Sequence, residues 1–333
     1  MVSMKDIARR CGVSVATVSK ALNNLPDVNS ETRARVQKAA AEMGYMTNAA
    51  ARALKTNRTY NLGVLLADEH RSGLSHEYFS SLLDSFKEEA EAQGYDITFI
   101  HHNTRGRSTT YLQHCRHRGV DGLLIACVDF RDAQVRELAE SDLPLVTIDH
   151  VFPNRQAVVS DNSRGMQALV RYVHACGHRR IAFLHGENST VTQNRLAGFH
   201  SACSELGLEI PEEYIRECVY RNPERCIHAT RALLELPVPP TCILFPDDFS
   251  CIVGVKVLME KGLRIPEDIS VAGYNGIPLA QVMGLTTYSQ NTVALGQTAA
   301  RELIRLISSP ENTPGERILI PGSLLEGVSV KKL

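Results

Sequence analysis

The opening stretch, residues 3–22, constrains this chain more than any other, because two short helical patterns meet there at a glycine. Met4, Ile7, Ala8 and Cys11 fall at i, i+3, i+4 and i+7, which lays one apolar face along a first helix. Gly12 can take the left-handed conformation that closes a helix tightly, and Val13 can then turn inward beneath it. Ser14 is a natural N-cap for a second helix. On that helix Val18, Ala21 and Leu22 point one way, and Val15, Ala16, Ser19 and Lys20 point the other. The outward set is small, polar or basic, as suits a helix that enters a major groove. The pattern predicts a helix-turn-helix, although Gly12 alone would favour an ordinary amphipathic hairpin.

Charge favours the DNA reading. Residues 1–60 carry +6 on a chain whose formal net charge is −1, so the remainder carries −7. A basic head on an acidic body concentrates phosphate attraction at one end and discourages the body from binding nucleic acid. A third helix should be capped by Asn29 or Ser30 and run from Glu31 to Met43, with Val36, Ala39, Ala40 and Met43 buried and Gly44 ending it. The alanine-rich segment 48–59 lacks glycine and proline, and could form a turn or two of helix that is unstable without a partner.

From Asn61 the pattern changes to strand–helix alternation. Leu62–Ala67 is a continuous apolar run, as expected of a strand buried on both faces. Helical spacing of Phe79, Leu82, Leu83, Phe86 and Ala90 follows, ending at Gly94. Further strands read at 97–100, 122–127, 145–148, 181–184, 241–245 and 269–274, separated by helical patterns. That is an α/β class with parallel sheets. So many strands exceed the needs of one small sheet. They predict two similar lobes meeting near Ser160-Asp161-Asn162 and again near Tyr288-Ser289-Gln290.

Asp6-Ile7-Ala8, Gly12-Val13-Ser14, Thr17-Val18-Ser19 and Leu22-Asn23 together resemble the DNA-binding headpiece of the lactose/galactose-repressor (LacI/GalR) family of bacterial regulators. The likeness continues through Ser160-Asp161-Asn162 with Gly165, Gly177-His178-Arg179-Arg180, Arg195-Leu196-Ala197-Gly198-Phe199, Ile265-Pro266-Glu267-Asp268-Ile269 and Leu285-Thr286-Thr287 with Gln290. It implies a three-helix headpiece (residues 1–46), a hinge (47–60) and a two-lobed body (61–333) like periplasmic sugar-binding proteins. Lobe 1 is then about 61–160 with 290–319, and lobe 2 about 161–289 with 320–333. The resemblance further implies a homodimer on pseudo-palindromic double-stranded operator DNA. Its DNA contacts would come from Ser3, Ser14, Val15, Ala16, Thr17, Ser19, Lys20, Asn23, Asn29, Thr32 and Tyr45, and in the hinge from Asn48, Ala51 and a wedging Leu54.

In open α/β sheets ligands sit beyond the carboxyl ends of strands. His76, Tyr78, Phe79, Asn103, Asp149, Arg195, Tyr220, Asp247, Asp248 and Asn275 lie at such ends. Planar polar groups and an aromatic face suit a sugar-like effector. By resemblance Asp149, Arg195 and Asp247 contact the effector and Tyr220 stacks on it. The sequence departs from the family at Asn275, where an aspartate is usual, and around Asp68–Ser75, which loosens the reading of His76–Phe79.

Enzyme signatures are missing. No two glycines stand two apart, which excludes G-x-G-x-x-G, and there is no P-loop, H-E-x-x-H or G-x-S-x-G. We therefore expect no enzyme, no cofactor and no metal. His101-His102 and His114 with His117 lack carboxylate or cysteine partners at ligand spacing. Nine cysteines at irregular spacing without Cys-x-x-Cys predict a reducing compartment. With no long apolar run and no secretory leader, the expected location is the cytoplasm, with no membrane contact. The sequence thus predicts an effector-controlled DNA-binding regulator, most simply a repressor. Its rivals are a global catabolite regulator answering to a phosphorylated carrier protein and, less readily, a sugar-binding transport component.

Overall fold

The computed structural model describes residues 2–45, 58–67, 73–104, 107–309 and 315–333. The hinge candidates Asn48, Ala51 and Leu54 lie outside them. Contacts divide the chain into two units, Met1–Tyr60 and Asn61–Leu333.

The first unit holds α1 (Met4–Cys11), α2 (Val15–Leu22) and α3 (Ser30–Glu42). Gly12 takes φ 63° and ψ 34°, and the Val13 N–H reaches back to the Ala8 carbonyl at 3.1 Å. That left-handed residue lets α2 follow α1 with only three residues between them. Ile7, Ala8, Cys11, Val18, Ala21, Val28, Val36, Ala39 and Ala40 form one small core. Met43, expected on the buried face, is the C-cap of α3 and packs only at the margin.

The second unit alternates β1 (Asn61–Leu66), α4 (Glu77–Ala92), β2 (Asp96–Phe99), a short β3 (Asn103–Thr104) with β4 (Arg107–Ser108), α5 (Tyr111–Arg118), β5 (Gly122–Ala126), α6 (Ala133–Glu140), β6 (Leu145–Ile148) and β7 (Gln156–Ser160). It continues with α7 (Asn162–Ala175), β8 (Ile181–His185), α8 (Thr190–Glu205), β9 (Ile215–Glu217), α9 (Pro223–Leu234), β10 (Cys242–Leu244), α10 (Asp248–Glu260), β11 (Ser270–Asn275) and α11 (Pro278–Val282). Last come β12 (Thr286–Ser289), α12 (Thr292–Ser308), β13 (Arg317–Ile320) and β14 (Ser323–Leu325).

These strands make two six-stranded sheets, ordered β13-β7-β6-β5-β1-β2 and β14-β12-β11-β10-β8-β9. All pairs within them are parallel except β12 with β14. The chain therefore passes between sheets three times, between Ser160 and Asn162, between Ser289 and Thr292, and between Ile320 and Ser323. Each expected strand forms within a residue or two of its expected bounds. Strands β3, β4, β7, β9, β12, β13 and β14 were not anticipated. In β7 the reason is Gln156, whose buried amide is satisfied by Glu302 and by the Glu316 N–H, so a polar residue sits in a buried strand.

Leu62, Val64 and Leu65 are fully buried, as a two-faced strand requires. Eight of the nine cysteines are buried free thiols, packed as small hydrophobes.

Candidate functional site

Two sites emerge, one in each unit. In the first, the Ser14 Oγ accepts from the Thr17 N–H at 3.0 Å and Asn29 Oδ1 accepts from the Thr32 N–H at 2.8 Å, starting α2 and α3. Ser3 donates its N–H (3.0 Å) and its hydroxyl (2.6 Å) to Asp6 Oδ2 at the start of α1. These bonds hold the polar side chains at three helix beginnings. Val18 and Ala21 are buried, while Val15, Ala16 and Lys20 are exposed. Val15 keeps 40% of its surface in water, unusual for a valine on a three-helix unit with so little core. Asn23 donates to the Ser19 carbonyl at 2.5 Å, and Lys20 pairs with Asp27. Thr17 and Tyr45 are half-buried, Tyr45 against the core.

The second site lies where the two sheets face each other across the crossings. Asp149 follows β6 at φ 56°, a conformation that turns its carboxylate back. One oxygen accepts from the Ser160 N–H at 2.6 Å and the other from the Tyr78 hydroxyl at 3.1 Å. Burial pushes the Asp149 carboxyl up, only partly offset by these bonds and by Arg195. Burial, with the Asp149 charge beside it, also pushes the Tyr78 phenol well above its ordinary range.

Arg195 projects from α8 and is buried. Its Nε donates to Asn162 Oδ1 at 2.8 Å and its Nη1 to the Pro246 carbonyl at 2.6 Å. Its guanidinium lies 3.7 Å from the Tyr274 ring centroid and 5.7 Å from that of Tyr220. Neither hydrogen bond uses Nη2. The Tyr220 hydroxyl meets Thr192 Oγ1 at 3.1 Å and its N–H donates to Glu187 at 3.0 Å. A Cβ at Gly186 would fall 2.0 Å from the Tyr220 ring, so the ring needs that glycine to lie where it does. Val219 and Arg221, on either side, both take positive φ (58° and 53°). A β-branched residue there is strained, and such strain persists where surroundings hold it.

Asp247 caps α10, its Oδ1 accepting from the Ser250 N–H at 2.6 Å, and burial raises its pKa. Asp248 accepts from the Thr287 hydroxyl at 2.6 Å and the Ile277 N–H at 2.8 Å. Burial outweighs these bonds and pushes its pKa to about 7. Asn275 takes φ 111°, and its Oδ1 accepts from Gln290 Nε2 at 2.7 Å. Gln290 is 5% exposed, and its Oε1 has no hydrogen-bond partner among the described residues.

Sequence reasoning thus placed Tyr78, Asp149, Arg195, Tyr220, Asp247 and Asn275 among residues that the fold buries or half-buries near the crossings. His76 and Phe79 stack edge to face at 4.8 Å beside Tyr78. Asn103 lies in β3, with its side chain outside the described set. Asn162, Gln290, Ser160 and Thr192 were missed as site residues, as was the ion pair of Arg221 with Glu77. That pair joins β9's flank to α4, and the Arg221 guanidinium also stacks 4.5 Å over Phe249. Of these Ser160, Asn162 and Gln290 stood in motifs the sequence showed, and nothing in the sequence tied them to Arg195 or Asn275. His114 is buried, with Nδ1 accepting from the His101 N–H at 3.0 Å. Among the described residues, no group of three or more His, Cys, Asp or Glu side chains could hold a metal ion.

A helix-turn-helix unit with an exposed reading face, joined to a two-sheet body with a buried polar cluster at its crossings, defines the class of ligand-responsive DNA-binding regulators. Family models agree on both parts. Residues 3–48 match bacterial regulatory proteins of the lacI family, and residues 59–328 match the periplasmic binding proteins and sugar binding domain of the LacI family. The ribose operon repressor of Haemophilus influenzae is 31% identical, with 98% of each chain covered. The HTH-type transcriptional repressor PurR of Mannheimia succiniciproducens is 30% identical over the full length of both. The Lac repressor dimer bound to operator and the anti-inducer ONPF superposes with a TM-score of 0.80 at 26% identity, covering 99% of each chain. The chain belongs to the LacI family and is a DNA-binding transcriptional regulator. No helix among the described residues is long and apolar enough to cross a membrane.

Proposed function

We propose that the protein is a cytoplasmic homodimeric repressor that reads a pseudo-palindromic operator with α2 and releases or tightens it in response to a neutral, hydroxyl-rich effector held between the lobes. The observation that carries the effector class is the imbalance of the buried cluster. Asp149 and Asp247 act on the buried guanidinium of Arg195, Asp248 follows Asp247 in the chain, and all three carboxyls are pushed up by burial. The unpartnered Gln290 Oε1 adds another acceptor. Such a site is short of donors, which the hydroxyls of a sugar supply. An anionic ligand would be repelled in so poorly solvated a place. The ribose operon repressor among the relatives supports the sugar reading. Nothing in this cluster serves as a nucleophile beside a base, so we assign it binding and no catalysis.

On the headpiece, Val15, Ala16, Thr17, Ser19 and Lys20 would face bases, with apolar Val15 and Ala16 suited to thymine methyls. Ser3, Ser14, Asn23, Asn29, Thr32 and Tyr45 would hold phosphates, and Asn48, Ala51 and Leu54 would enter the minor groove. Dimerisation is supported by an apolar face on α10 and α11, where Val282 is 85% and Met259 67% exposed beside Leu279 and Met283. A surface groove of about 640 Å³ lined by Val255, Met259, Leu263 and Met283 continues that face away from the cleft. A second copy is its fitting cover, since large exposed apolar patches mark interfaces.

The test is thermal unfolding of the full chain with neutral sugars, uronic acids and sugar phosphates. A neutral sugar at a hundred times its Kd should stabilise by about 2.7 kcal/mol. Preferential stabilisation by a sugar phosphate would refute the proposed effector class.

A further inference from the structure

α2 carries one basic side chain, Lys20, and the structure pairs it inside the headpiece. Lys20 Nζ donates to Asp27 Oδ2, with each side chain 49% exposed. Asp27 lies in the turn between α2 and α3, and that turn is fixed by contacts that involve neither charge. The Leu25 N–H donates to the Lys20 carbonyl at 3.0 Å and the Val28 N–H to the Leu25 carbonyl at 3.4 Å. Arg33 Nη2 donates to the Leu25 and Val28 carbonyls at 2.8 and 3.0 Å, and Val28 is buried in the core. The backbone therefore presents the Asp27 carboxylate beside Lys20 whether or not the lysine is there. Lys20 in turn holds the Asp27 carboxyl below its usual pKa, so the carboxylate stays ionised at neutral pH. An exposed pair of this kind adds little to stability. Its consequence lies in what α2 shows to DNA.

We propose that Asp27 is a specificity-determining residue, an intramolecular counter-ion that withholds Lys20 from the phosphates of random DNA and yields it to a base edge on the operator. On a random sequence Lys20 would exchange one solvated anion for another, with nothing gained. A guanine edge in the groove offers two directed acceptors, O6 and N7, which the docked duplex holds in place beside α2. The inference rests on α2 being the base-reading helix, as proposed above.

The experiment uses the full chain as wild type, Asp27→Asn, Lys20→Met and the double variant. The probes are a duplex recovered by affinity selection from a random pool and a scrambled duplex of equal length. Affinity is measured across a salt series. Asp27→Asn should tighten the scrambled duplex several-fold and steepen its slope of log K against log salt by about 0.9, the signature of one added phosphate contact. The gain on the selected duplex should be smaller, so the ratio between them falls. On the Lys20→Met background, Asp27→Asn should leave the slope unchanged. Equal gains on both duplexes, or a slope change that survives Lys20→Met, would overturn the proposal, because Asp27 would then act only as bulk negative charge. A wild type that does not distinguish the duplexes would remove the reading of α2 itself, and the proposal with it, a result visible before any variant is made.

Discussion

Replacing Arg195 with methionine removes a buried positive charge of the cleft while keeping much of its bulk. Two hydrogen bonds from a charged donor are lost, to Asn162 Oδ1 and to the Pro246 carbonyl, and the stacking on Tyr274 goes with them. Each such bond contributes roughly 1.5–3 kcal/mol, and breaking a buried charge cluster by removing one partner costs about 3–5 kcal/mol. We expect the body to lose about 3–5 kcal/mol near pH 8. The loss should depend on pH with a definite sign. Arg195 lowers the folded-state pKa of both Asp149 and Asp247, against burial, which raises them. Without it both values rise further above the ordinary 3.8 of the unfolded chain. A carboxyl whose folded pKa is raised contributes stability that is present at low pH and lost as pH rises through that value. The deficit of Arg195→Met relative to wild type should therefore be smallest at acidic pH and grow towards alkaline pH. Urea unfolding of the body transition at two pH values measures it. A deficit that is constant, that shrinks with rising pH, or that stays under about 1 kcal/mol would refute the reasoning, since a removed buried partner cannot cost so little.

Lys20→Ala should weaken binding to the selected duplex by about 1–3 kcal/mol if the lysine reads a base. Equal loss on scrambled DNA in the same titration would make it a phosphate contact. Asn275→Asp should leave folding intact but shift ligand preference further from anions, read by thermal shift with paired neutral and acidic sugars, because a new carboxylate beside Gln290 adds like charge to the site. An unchanged preference would place the ligand elsewhere. Arg221→Gln cuts the ion pair with Glu77 and the stack on Phe249, so ligand association, followed by stopped flow, should quicken as the β9 flank is freed from α4. An unaltered association rate would mean that this pair does not hold the two sides together.

The headpiece was legible because its determinants are local. Gly12, the Ser14 cap and the i, i+3, i+4 spacing of Ile7, Ala8 and Cys11 lie within a dozen residues of one another. Strands such as β1 and β5 were legible for the same reason, being short continuous apolar runs buried on both faces. Strand β7 was not, because Gln156 and Ser160 look like loop residues until distant partners satisfy them. Strands β9, β13 and β14 lie at or beside sheet edges and are only half-buried or exposed, so no alternation or apolar run marks them. The cleft divides likewise. Asp149 could be named from its place at a strand end and Arg195 from a motif, but what they touch could not. Arg195 meets Asn162 across 33 positions, and Arg221 meets Glu77 across 144, distances over which one sequence carries no pairing signal.

The most direct test of the central claim is the affinity of the full chain for its selected duplex, measured by fluorescence anisotropy with and without a neutral sugar that stabilises the protein. Binding should be at least about a thousandfold tighter than to scrambled DNA, and should shift by roughly fivefold or more on adding the sugar. Discrimination that is absent, or specific binding that no neutral sugar moves while an anionic one does, would contradict that claim.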